Sequence, residues 1–528
     1  MLGLMMDRPL LISDLLRHAD RHHGTTEIVS KTVEGGMHRY TYSDAHTRAR
    51  RLANALKKLG VAANDRVATL AWNGFRHFEI YYAVAGSGAV IHTINPRLFP
   101  DQIVYIANHA EDKVVFYDTT FAPLVEKLKP QVRTVKHWVA MNEQYEKLLE
   151  AESAEFDWPS FDERTAACLC YTSGTTGNPK GALYSHRSTL IHAYASALPD
   201  AINISARDVI LPVVPMFHVN AWGLPYACAL AGAKLVFPAQ HLDGKSLYEL
   251  FEGEEVTMSA GVPTVWLLLL NYMKEQKLRF STLKRVVIGG SACPPAMIRA
   301  FQQEYGVQVL HAWGMTEMSP LGTVTTFKAK HLKLSEEDRL KLQNKQGRVL
   351  FGVDIRIVGE DGQELPWDGK AFGDLQVRGP WVIQSYFKGE GGDPLKQGWF
   401  PTGDVCTIDA DGYIQVTDRS KDVIKSGGEW ISSIDLENIA IAHPAIAEAA
   451  VIGVKHPKWD ERPIVVAVKK PGKDVSRDEL LKFYEGKIAK WWLPDDVVFV
   501  NELPHTATGK LSKLTLRQQM KDYKLGTG

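Results

Sequence analysis

The stretch that decides the fold runs Tyr171-Thr-Ser-Gly-Thr-Thr-Gly-Asn-Pro-Lys180-Gly181. The apolar residues 166–171 predict a buried strand, and it leads into a loop of glycines and hydroxyl side chains that a lysine closes. Glycines let the backbone approach an anion closely, hydroxyl and N–H groups donate to phosphate oxygens, and Lys180 adds positive charge. The pattern differs from the common P-loop, and its plain alternative is a polar surface loop after a strand. We therefore predict a phosphate-binding loop at the end of a strand.

Short β-rich runs alternate with helical patterns on both sides of this loop. Residues 41–60 have apolar positions at helical spacing and a closing glycine, which predicts an amphipathic helix. This alternation predicts α/β layers with largely parallel sheets, whose carboxyl edges usually bind ligands. The predicted strands of this part are 67–72, 89–94, 113–117, 209–214, 234–237, 285–288 and 308–311.

The pattern changes near Asp418 to that of a smaller α+β unit. A chain of 528 residues is too long for a single hydrophobic core. We predict a large N-terminal domain of layered α/β subdomains over 1–417, a hinge at 418–420 and a small mobile domain over 421–528. The elements predicted in the small domain are strands near 447–454, 464–468 and 497–500 and a helix over 477–490.

The composition is that of a water-soluble globular protein, with 45% apolar and 23% charged residues. The 61 basic and 61 acidic residues balance, so charge gives no reason to expect nucleic acid or an anionic membrane as partner. No apolar run approaches the ~18 residues of a membrane span, and the first residues lack the pattern of a signal peptide. The five cysteines are too few and scattered for a disulfide framework, which indicates a reduced, cytoplasmic chain.

Further motifs follow the loop in a fixed order along the chain. They are Pro215-Met-Phe-His218-Val-Asn-Ala-Trp222, Gly289-Gly-Ser-Ala292, His311-Ala-Trp-Gly-Met-Thr316-Glu317, Gly398-Trp-Phe-Pro-Thr402-Gly-Asp404, Asp418-Arg419-Ser-Lys421-Asp-Val-Ile-Lys425-Ser-Gly-Gly-Glu429-Trp430 and Pro504-His-Thr-Ala-Thr-Gly509-Lys510. In this order the set resembles the adenylate-forming superfamily of acyl-CoA synthetases, adenylation domains and beetle luciferases, from about residue 10 to 520. It looks most like the medium- and long-chain fatty acyl-CoA synthetases, and especially the bacterial ligases that activate 3-methylmercaptopropionate.

The resemblance implies an AMP-forming acid–CoA ligase with ATP and CoA as co-substrates and Mg²⁺ as cofactor. An adenylation enzyme that loads a carrier protein is an alternative. Residues 511–528 are too few for a fused carrier, which would act in trans. A silent acyl- or nucleotide-binding protein is a second alternative, and the presence of Lys510, Glu317 and Asp404 argues against it. No residue argues for a luciferase-type oxidation, and a homodimer is left open.

The resemblance also implies roles for residues around ATP. Lys510 would bridge the acid carboxylate and the α-phosphate as the main catalytic residue, and Glu317 would bind Mg²⁺ together with Thr172. Asp404 would accept from both ribose hydroxyls, with Arg419 beside it. The plain alternatives are a turn aspartate and surface charged side chains. The implied ATP- and AMP-binding residues are Thr172, Ser173, Gly174, Thr175, Thr176, Gly177, Lys180, His311, Ala312, Trp313, Thr316, Asp404, Arg419, Lys421 and Lys425.

A third implied set concerns the acid and CoA. His218 would flank the acyl channel and form the catalytic set together with Lys510 and Glu317. Its plain alternative is a structural histidine. Trp222 would gate the channel, or be plain core. The implied wall of the acyl pocket is Trp222, Gly289, Gly290, Ser291 and Ala292, with Trp313 beside it. The implied CoA side is Lys425, Gly427, Gly428 and Trp430.

Overall fold

The computed structural model describes the chain except for Leu2, 173–177, 427–428, 506–510, Asp522, Lys524 and 526–528, and it omits the side chains of Glu429 and Trp430. The chain divides into two compact units. The first unit is Met1–Asp354 with Arg378–Leu395, and the second is Ile355–Val377 with Lys396–Gly528. The predicted hinge at 418–420 lies inside the second unit, and its role stays a prediction.

The first unit alternates helices and strands, as the sequence pattern predicts. Its elements are α1 (Ile12–His23), β1 (Glu27–Lys31), β2 (Met37–Thr41), α2 (Tyr42–Lys58), β3 (Arg66–Leu70), α3 (Phe75–Gly86), β4 (Val90–Thr93), α4 (Pro100–Ala110), β5 (Asp112–Tyr117), α5 (Ala122–Leu128), β6 (His137–Ala140), α6 (Glu143–Glu150), β7 (Ala166–Tyr171), β8 (Gly181–Ser185), α7 (His186–Ala197), β9 (Val209–Pro212), the single turn α8 (Val219–Trp222), α9 (Leu224–Ala231), β10 (Lys234–Phe237), α10 (Gly244–Gly253), β11 (Met258–Gly261), α11 (Pro263–Glu275), β12 (Arg285–Ile288), α12 (Pro295–Arg299), β13 (Gln308–Gly314), β14 (Leu321–Val324), α13 (Glu336–Gln343) and β15 (Arg348–Val349).

Two largely parallel sheets form the centre of the first unit. Within the described residues their strand orders are β6-β5-β3-β4-β7-β8 and β15-β14-β13-β12-β11-β9-β10-β1-β2. Among the described strands of the first sheet, only the β7–β8 pair is antiparallel, and in the second sheet the antiparallel strands lie at the two edges. The α/β architecture predicted from the sequence is therefore confirmed, with the glycine–hydroxyl loop joining β7 to β8.

The second unit is built mainly from antiparallel strands. Its elements are β16 (Asp354–Val358), β17 (Gly373–Arg378), β18 (Phe400–Ile408), β19 (Ile414–Arg419), β20 (Ile424–Ser426), β21 (Glu429–Ile431), α14 (Ser433–Ile441), β22 (Ile446–His456), β23 (Asp460–Lys469), α15 (Arg477–Phe483), β24 (Asp496–Phe499) and α16 (Lys513–Gln519). One sheet has the order β16-β17-β18-β19, and the other has the order β21-β20-β23-β22 with β24 on β23.

Most predicted elements agree with the structure to within a few residues, and one helix is too long. The helix predicted over 477–490 ends at Phe483. Beyond it the N–H groups of Tyr484 and Glu485 fold back onto the preceding turn, and Gly486 takes a φ of 74°. A glycine in the left-handed region is a common helix stop, which explains the early end.

Apolar side chains fill the space between the sheets and their helices. One apolar cluster joins the nine-stranded sheet to α10 and α11 and includes Trp266 of α11, and another joins the six-stranded sheet to α4 through Leu169 and Ile103. All five cysteines are buried and free. No helix in the described part of the chain has both the length and the apolar character to cross a bilayer.

Candidate active site

The two ends of the glycine–hydroxyl loop are held together at its base. β7 and β8 pair with Tyr171 opposite Gly181. The Thr172 N–H donates to the Lys180 carbonyl oxygen at 2.9 Å, and the Lys180 N–H donates to Thr172 Oγ1 at 3.2 Å. The loop therefore starts and ends at the carboxyl end of β7, where ligands of parallel sheets bind. The loop residues outside the described part, whose phosphate contacts stay predictions, are Ser173, Gly174, Thr175, Thr176 and Gly177.

The ammonium group of Lys180 lies between an aromatic ring and a glycine. Its Nζ is 5.0 Å from the ring centroid of Tyr386, a distance at which cation–π attraction acts. A Cβ atom on Gly391 would lie 2.6 Å from Nζ, and Gly391 has a φ of +79°. Only glycine suits both conditions. The segment around Tyr386 therefore keeps the positive charge of Lys180 beside the loop.

Glu317 is buried in a short 3-10 turn that two tyrosine hydroxyls hold. Tyr386 Oη donates to Glu317 Oε1 at 2.8 Å, and Tyr184 Oη donates to the Thr316 carbonyl oxygen at 2.5 Å. Burial, together with the Glu317 carboxylate, raises the pKa of Tyr386, and burial raises the pKa of Tyr184. Both hydroxyls therefore stay protonated donors at neutral pH. Because Tyr184 lies on β8, its bond places the Glu317 turn beside the strand that leaves the loop.

The predicted magnesium ligands fit that ion. Thr172 and Glu317 supply a hydroxyl and a carboxylate, the oxygen donors that Mg²⁺ prefers. Within the described residues, no group of three or more His, Cys, Asp or Glu side chains could hold a metal alone. Mg²⁺ commonly uses one or two protein carboxylates and completes its shell with phosphate and water oxygens. A hydroxyl and a carboxylate are compatible with that number of protein ligands, and the two ligand assignments stay predictions.

Tyr386 is a site residue that sequence analysis missed. Its hydroxyl donates to Glu317 and its ring faces Lys180, so it contacts two of the charged groups of the predicted nucleotide site. The sequence gives only a weak indication of this role. Tyr386 lies in the glycine-rich segment between β17 and β18, and the sequence predicts no more than a loop there.

β13 carries His311, Ala312 and Trp313 into the core. His311 is 1% exposed, and its Nδ1 lies 3.1 Å from the Gln343 carbonyl oxygen, to which it donates. The ring of Trp313 packs on Gly322, where a Cβ would lie 2.7 Å from it. The side chain of His311 therefore joins β13 to the end of α13. The nucleotide contacts predicted for these three residues stay predictions.

We expect His311 to make the stability of the protein fall in mild acid. Burial lowers the pKa of His311 to about 4, below its ordinary value of 6.5. Between these pH values the unfolded chain binds a proton that the folded chain does not. The stabilising contribution is therefore complete above pH 6.5 and is lost towards pH 4, by about 1.4 kcal/mol per pH unit. His311→Gln has no such titrating group, so it does not lose stability by this route. The amount by which its melting temperature lies below that of the wild type should therefore be smaller at pH 5 than at pH 7.

The control for this measurement is Ser160→Ala, because Ser160 is exposed and its side chain does not titrate. Its difference from the wild type should stay constant over the same range. Buried carboxyl groups also change stability with pH, but they are present in all three proteins and cancel in the comparison. A deficit of His311→Gln that is equal at pH 7 and pH 5 would contradict the assignment.

Trp222 lies against the glycine segment that follows β12. A Cβ on Gly289 would lie 3.3 Å from Trp222 Cη2, and one on Gly290 would lie 3.8 Å from Trp222 Cζ2. The indole ring therefore rests on the glycine backbone. Ser291 is exposed and Ala292 is half-buried directly after it. The structure brings the predicted acyl-wall residues together, and their contact with an acid stays a prediction.

His218 starts the turn that carries Trp222. It is half-buried, and its N–H donates to the Pro215 carbonyl oxygen at 3.0 Å. Its place at the carboxyl end of β9, on the same edge as Gly289, agrees with a position beside the acyl wall. Its catalytic role stays a prediction.

In the second unit, Asp404 and Arg419 form a cross-strand ion pair. They are opposite each other on β18 and β19, and Arg419 Nη1 lies 3.1 Å from Asp404 Oδ1. Asp404 is 6% exposed, and its N–H donates to Thr402 Oγ1. The arginine thus orients a carboxylate that is otherwise shielded from water. The family resemblance implies that both residues bind one sugar, and the structure places them opposite each other.

Asp404→Ala is expected to raise the KM for ATP by about tenfold or more, the cost of a lost hydrogen bond to a charged group. Ribose contacts bind the ground state and the transition state alike, so kcat should change little. The measurement is steady-state pyrophosphate release against ATP concentration. Asp404→Asn keeps the size of the side chain and should show a smaller rise. A fall in kcat with an unchanged KM would exclude the ribose role.

Asp418 is a buried strand residue, in contrast to an ordinary turn position. It lies on β19 at 1% exposure, and its carboxylate accepts from the Ser433 N–H at 2.9 Å. Lys513 Nζ is 3.9 Å away. Asp418 therefore ties β19 to the start of α14. A rotation about 418–420 that separates β19 from α14 would break these contacts.

The residues predicted for CoA are described in part. Lys421 is exposed. Lys425 lies on β20, where its Nζ is 2.7 Å from Glu360 Oε1. The residues outside the described part are Gly427, Gly428 and Lys510, and the side chain of Trp430 is also not described.

Two protein-family models match the chain. The model of the AMP-binding enzyme matches residues 15–387, and that of the AMP-binding enzyme C-terminal domain matches residues 435–510. The chain therefore belongs to the AMP-binding enzyme family. This agrees with the adenylate-forming superfamily that the motifs indicate.

Relatives extend the likeness over the whole chain. A 3-methylmercaptopropionyl-CoA ligase of Ruegeria lacuscaerulensis is 56% identical over 100% of both chains. A medium-chain-fatty-acid–CoA ligase of Ectopseudomonas oleovorans is 51% identical over 99% of this chain and 98% of its own. Among solved structures, an anthranilate CoA ligase in complex with anthranoyl-AMP superimposes with a TM-score of 0.86 at 24% identity, covering 98% of each chain. At that identity the structural likeness shows the fold alone.

Proposed function

We propose that this protein is an AMP-forming acid–CoA ligase that acts on 3-methylmercaptopropionate or a medium- or long-chain fatty acid. The observation that carries the proposal is the 56% identity to a 3-methylmercaptopropionyl-CoA ligase over the full length of both chains. The chain also has the charged residues that the family resemblance implies for the first half-reaction, Lys180, Glu317, Asp404 and Lys510.

In the first half-reaction, a carboxylate oxygen of the acid attacks the α-phosphorus of ATP and pyrophosphate leaves. Both reactants are anions, so the reaction needs cations and hydrogen-bond donors where they meet. Lys180 and the glycine–hydroxyl loop would bind the pyrophosphate end, and Lys510 would lie between the carboxylate and the α-phosphate. Asp404, with Arg419 beside it, would hold the ribose and so fix the α-phosphate in place.

In the second half-reaction, the thiol sulfur of CoA attacks the acyl carbon of the acyl-adenylate and AMP leaves. The wall of Trp222, Gly289 and Gly290 would hold the acyl chain and exclude water from the mixed anhydride. Lys425 and the 427–430 segment would face the CoA arm.

Mg²⁺ at Thr172 and Glu317 would neutralise phosphate charge. Tyr386 donates to the Glu317 carboxylate and would keep it oriented towards that ion. The proposal includes a cytoplasmic location, where ATP and CoA are available.

The test is product analysis with a panel of acids, from 3-methylmercaptopropionate and butyrate to octanoate and palmitate. We expect AMP and pyrophosphate in equal amounts, only when an acid is present, and a thioester only when CoA is added. Formation of ADP, or pyrophosphate release without acid, would refute the proposal. Adenylation without transfer to CoA would instead favour a carrier protein as acceptor.

A further inference from the structure

The turn α8 has a backbone that most residues avoid. Its four residues, Val219–Trp222, have φ angles of 47°, 52°, 49° and 57°. The left-handed region is unfavourable for residues with a Cβ atom, most of all for a β-branched valine. Four such residues in a row persist only where surrounding contacts hold them. The turn therefore needs an anchor.

Asn220 supplies that anchor from the middle of the turn. Its side chain is buried, and its Oδ1 accepts from the thiols of Cys168 at 3.1 Å and Cys170 at 2.9 Å. Its Nδ2 donates to Tyr226 Oη at 3.0 Å. The two cysteines are two residues apart on β7 and so face the same side of the sheet. We call Asn220, Cys168 and Cys170 the thiol anchor.

Cys168 suits this role in its protonation, and both thiols suit it in their place. Burial raises the pKa of the Cys168 thiol, so it stays an S–H donor at neutral pH. Both cysteines lie on the strand that ends at Tyr171, directly before the glycine–hydroxyl loop. The thiol anchor therefore joins the turn to the strand that positions the loop.

The backbone on either side of the turn is held by other residues. Asn73 Nδ2 donates to the carbonyl oxygens of Pro212 and Val214, and Tyr82 Oη donates to that of Pro225. Loss of the Asn220 side chain would leave these contacts in place. Its main effect should fall on the turn itself and on Trp222 at its end.

We infer that Asn220 is a positioning residue for the acid. By fixing the left-handed turn, the thiol anchor sets how far the Trp222 ring extends over Gly289 and Gly290, and thereby which acids fit. This inference rests on the proposed function, in which Trp222 lines the acid subsite. It assigns to the buried thiols of β7 a part in selecting the acid.

The first test compares acids in variants of the full-length enzyme. Asn220→Gly removes the side chain but keeps a residue that accepts positive φ. We expect the ratio of kcat/KM values for octanoate and 3-methylmercaptopropionate to change by about tenfold, the size of effect that pocket shape has on methylene selection. The KM for ATP should change by less than this ratio, because β7 stays paired with β4 and β8 when the Asn220 side chain is lost.

The matched pair for the thiols is Cys168→Ser with Cys170→Ser, against Cys168→Ala with Cys170→Ala. Serine keeps a donor for Asn220 Oδ1 and should retain the wild-type ratio. Alanine removes both donors and should shift the ratio as Asn220→Gly does. Cys228→Ala, at a buried thiol of α9 outside the anchor, controls for the loss of a buried sulfur. An unchanged ratio in Asn220→Gly, or an equal fall of kcat/KM for all acids, would overturn the inference.

A second measurement does not depend on ligase activity. Hydrogen exchange should become faster in Asn220→Gly for peptides covering 215–226 and 166–172, and stay unchanged in Cys228→Ala. Unchanged exchange in both segments would overturn the anchor. If exchange responds while the wild-type protein activates no acid, the proposed function fails and the anchor stands.

Discussion

Lys510→Ala is expected to slow formation of the acyl-adenylate by about a thousandfold, the upper effect of removing one group that stabilises developing charge. The reason is the meeting of two anions, the acid carboxylate and the α-phosphate. The requirement ends once the two are joined. Transfer of the acyl group from preformed acyl-adenylate to CoA should therefore remain within a fewfold of the wild type. The measurement is single-turnover kinetics of each half-reaction.

Two further variants make this result specific. Lys521→Ala removes an exposed lysine from the same end of the chain and should leave both half-reactions unchanged. Lys510→Arg keeps the charge in a different geometry and should recover only part of the adenylation rate. Equal losses in the two half-reactions of Lys510→Ala would rule out the bridging role.

Glu317→Gln is expected to have the second largest effect. Its ligase activity should fall about a hundredfold at low Mg²⁺, and higher Mg²⁺ should restore part of that activity. An amide is a weaker ligand than a carboxylate for this hard ion. The signature is a higher Mg²⁺ concentration for half-maximal activity. A titration of metal at saturating ATP measures it, and an unchanged midpoint would remove Glu317 as a ligand.

Tyr386→Phe is the matched variant for this experiment. It deletes the hydroxyl that donates to Glu317 Oε1 and keeps the ring that faces Lys180. Because the carboxylate itself remains, we expect a rise in the Mg²⁺ midpoint of only about threefold to tenfold, the usual cost of one hydrogen bond. A loss as large as that of Glu317→Gln would indicate that Tyr386 contacts the substrate directly.

The sequence by itself determined the α/β architecture and the order of the site motifs. Helix and strand periods are local properties, so the helix over 41–60 and the strand at 234–237 could be predicted without tertiary contacts. The glycine–hydroxyl loop could be found for the same reason, because its glycines, hydroxyls and lysine are adjacent in the chain. The family resemblance added the site residues that lie far from the loop.

Only the tertiary structure decided which distant residues meet. Tyr386 reaches Glu317 across 69 positions, and Asn220 reaches Cys170 across 50. No local pattern marks such pairs, because their partners come together only when the sheets form. The same reason explains Asp418, which the sequence marks only as part of a predicted hinge and which is buried against Ser433 in the fold. The local sequence thus predicted the glycine–hydroxyl loop, whereas the packing of the chain decided which distant side chains form hydrogen bonds with each other.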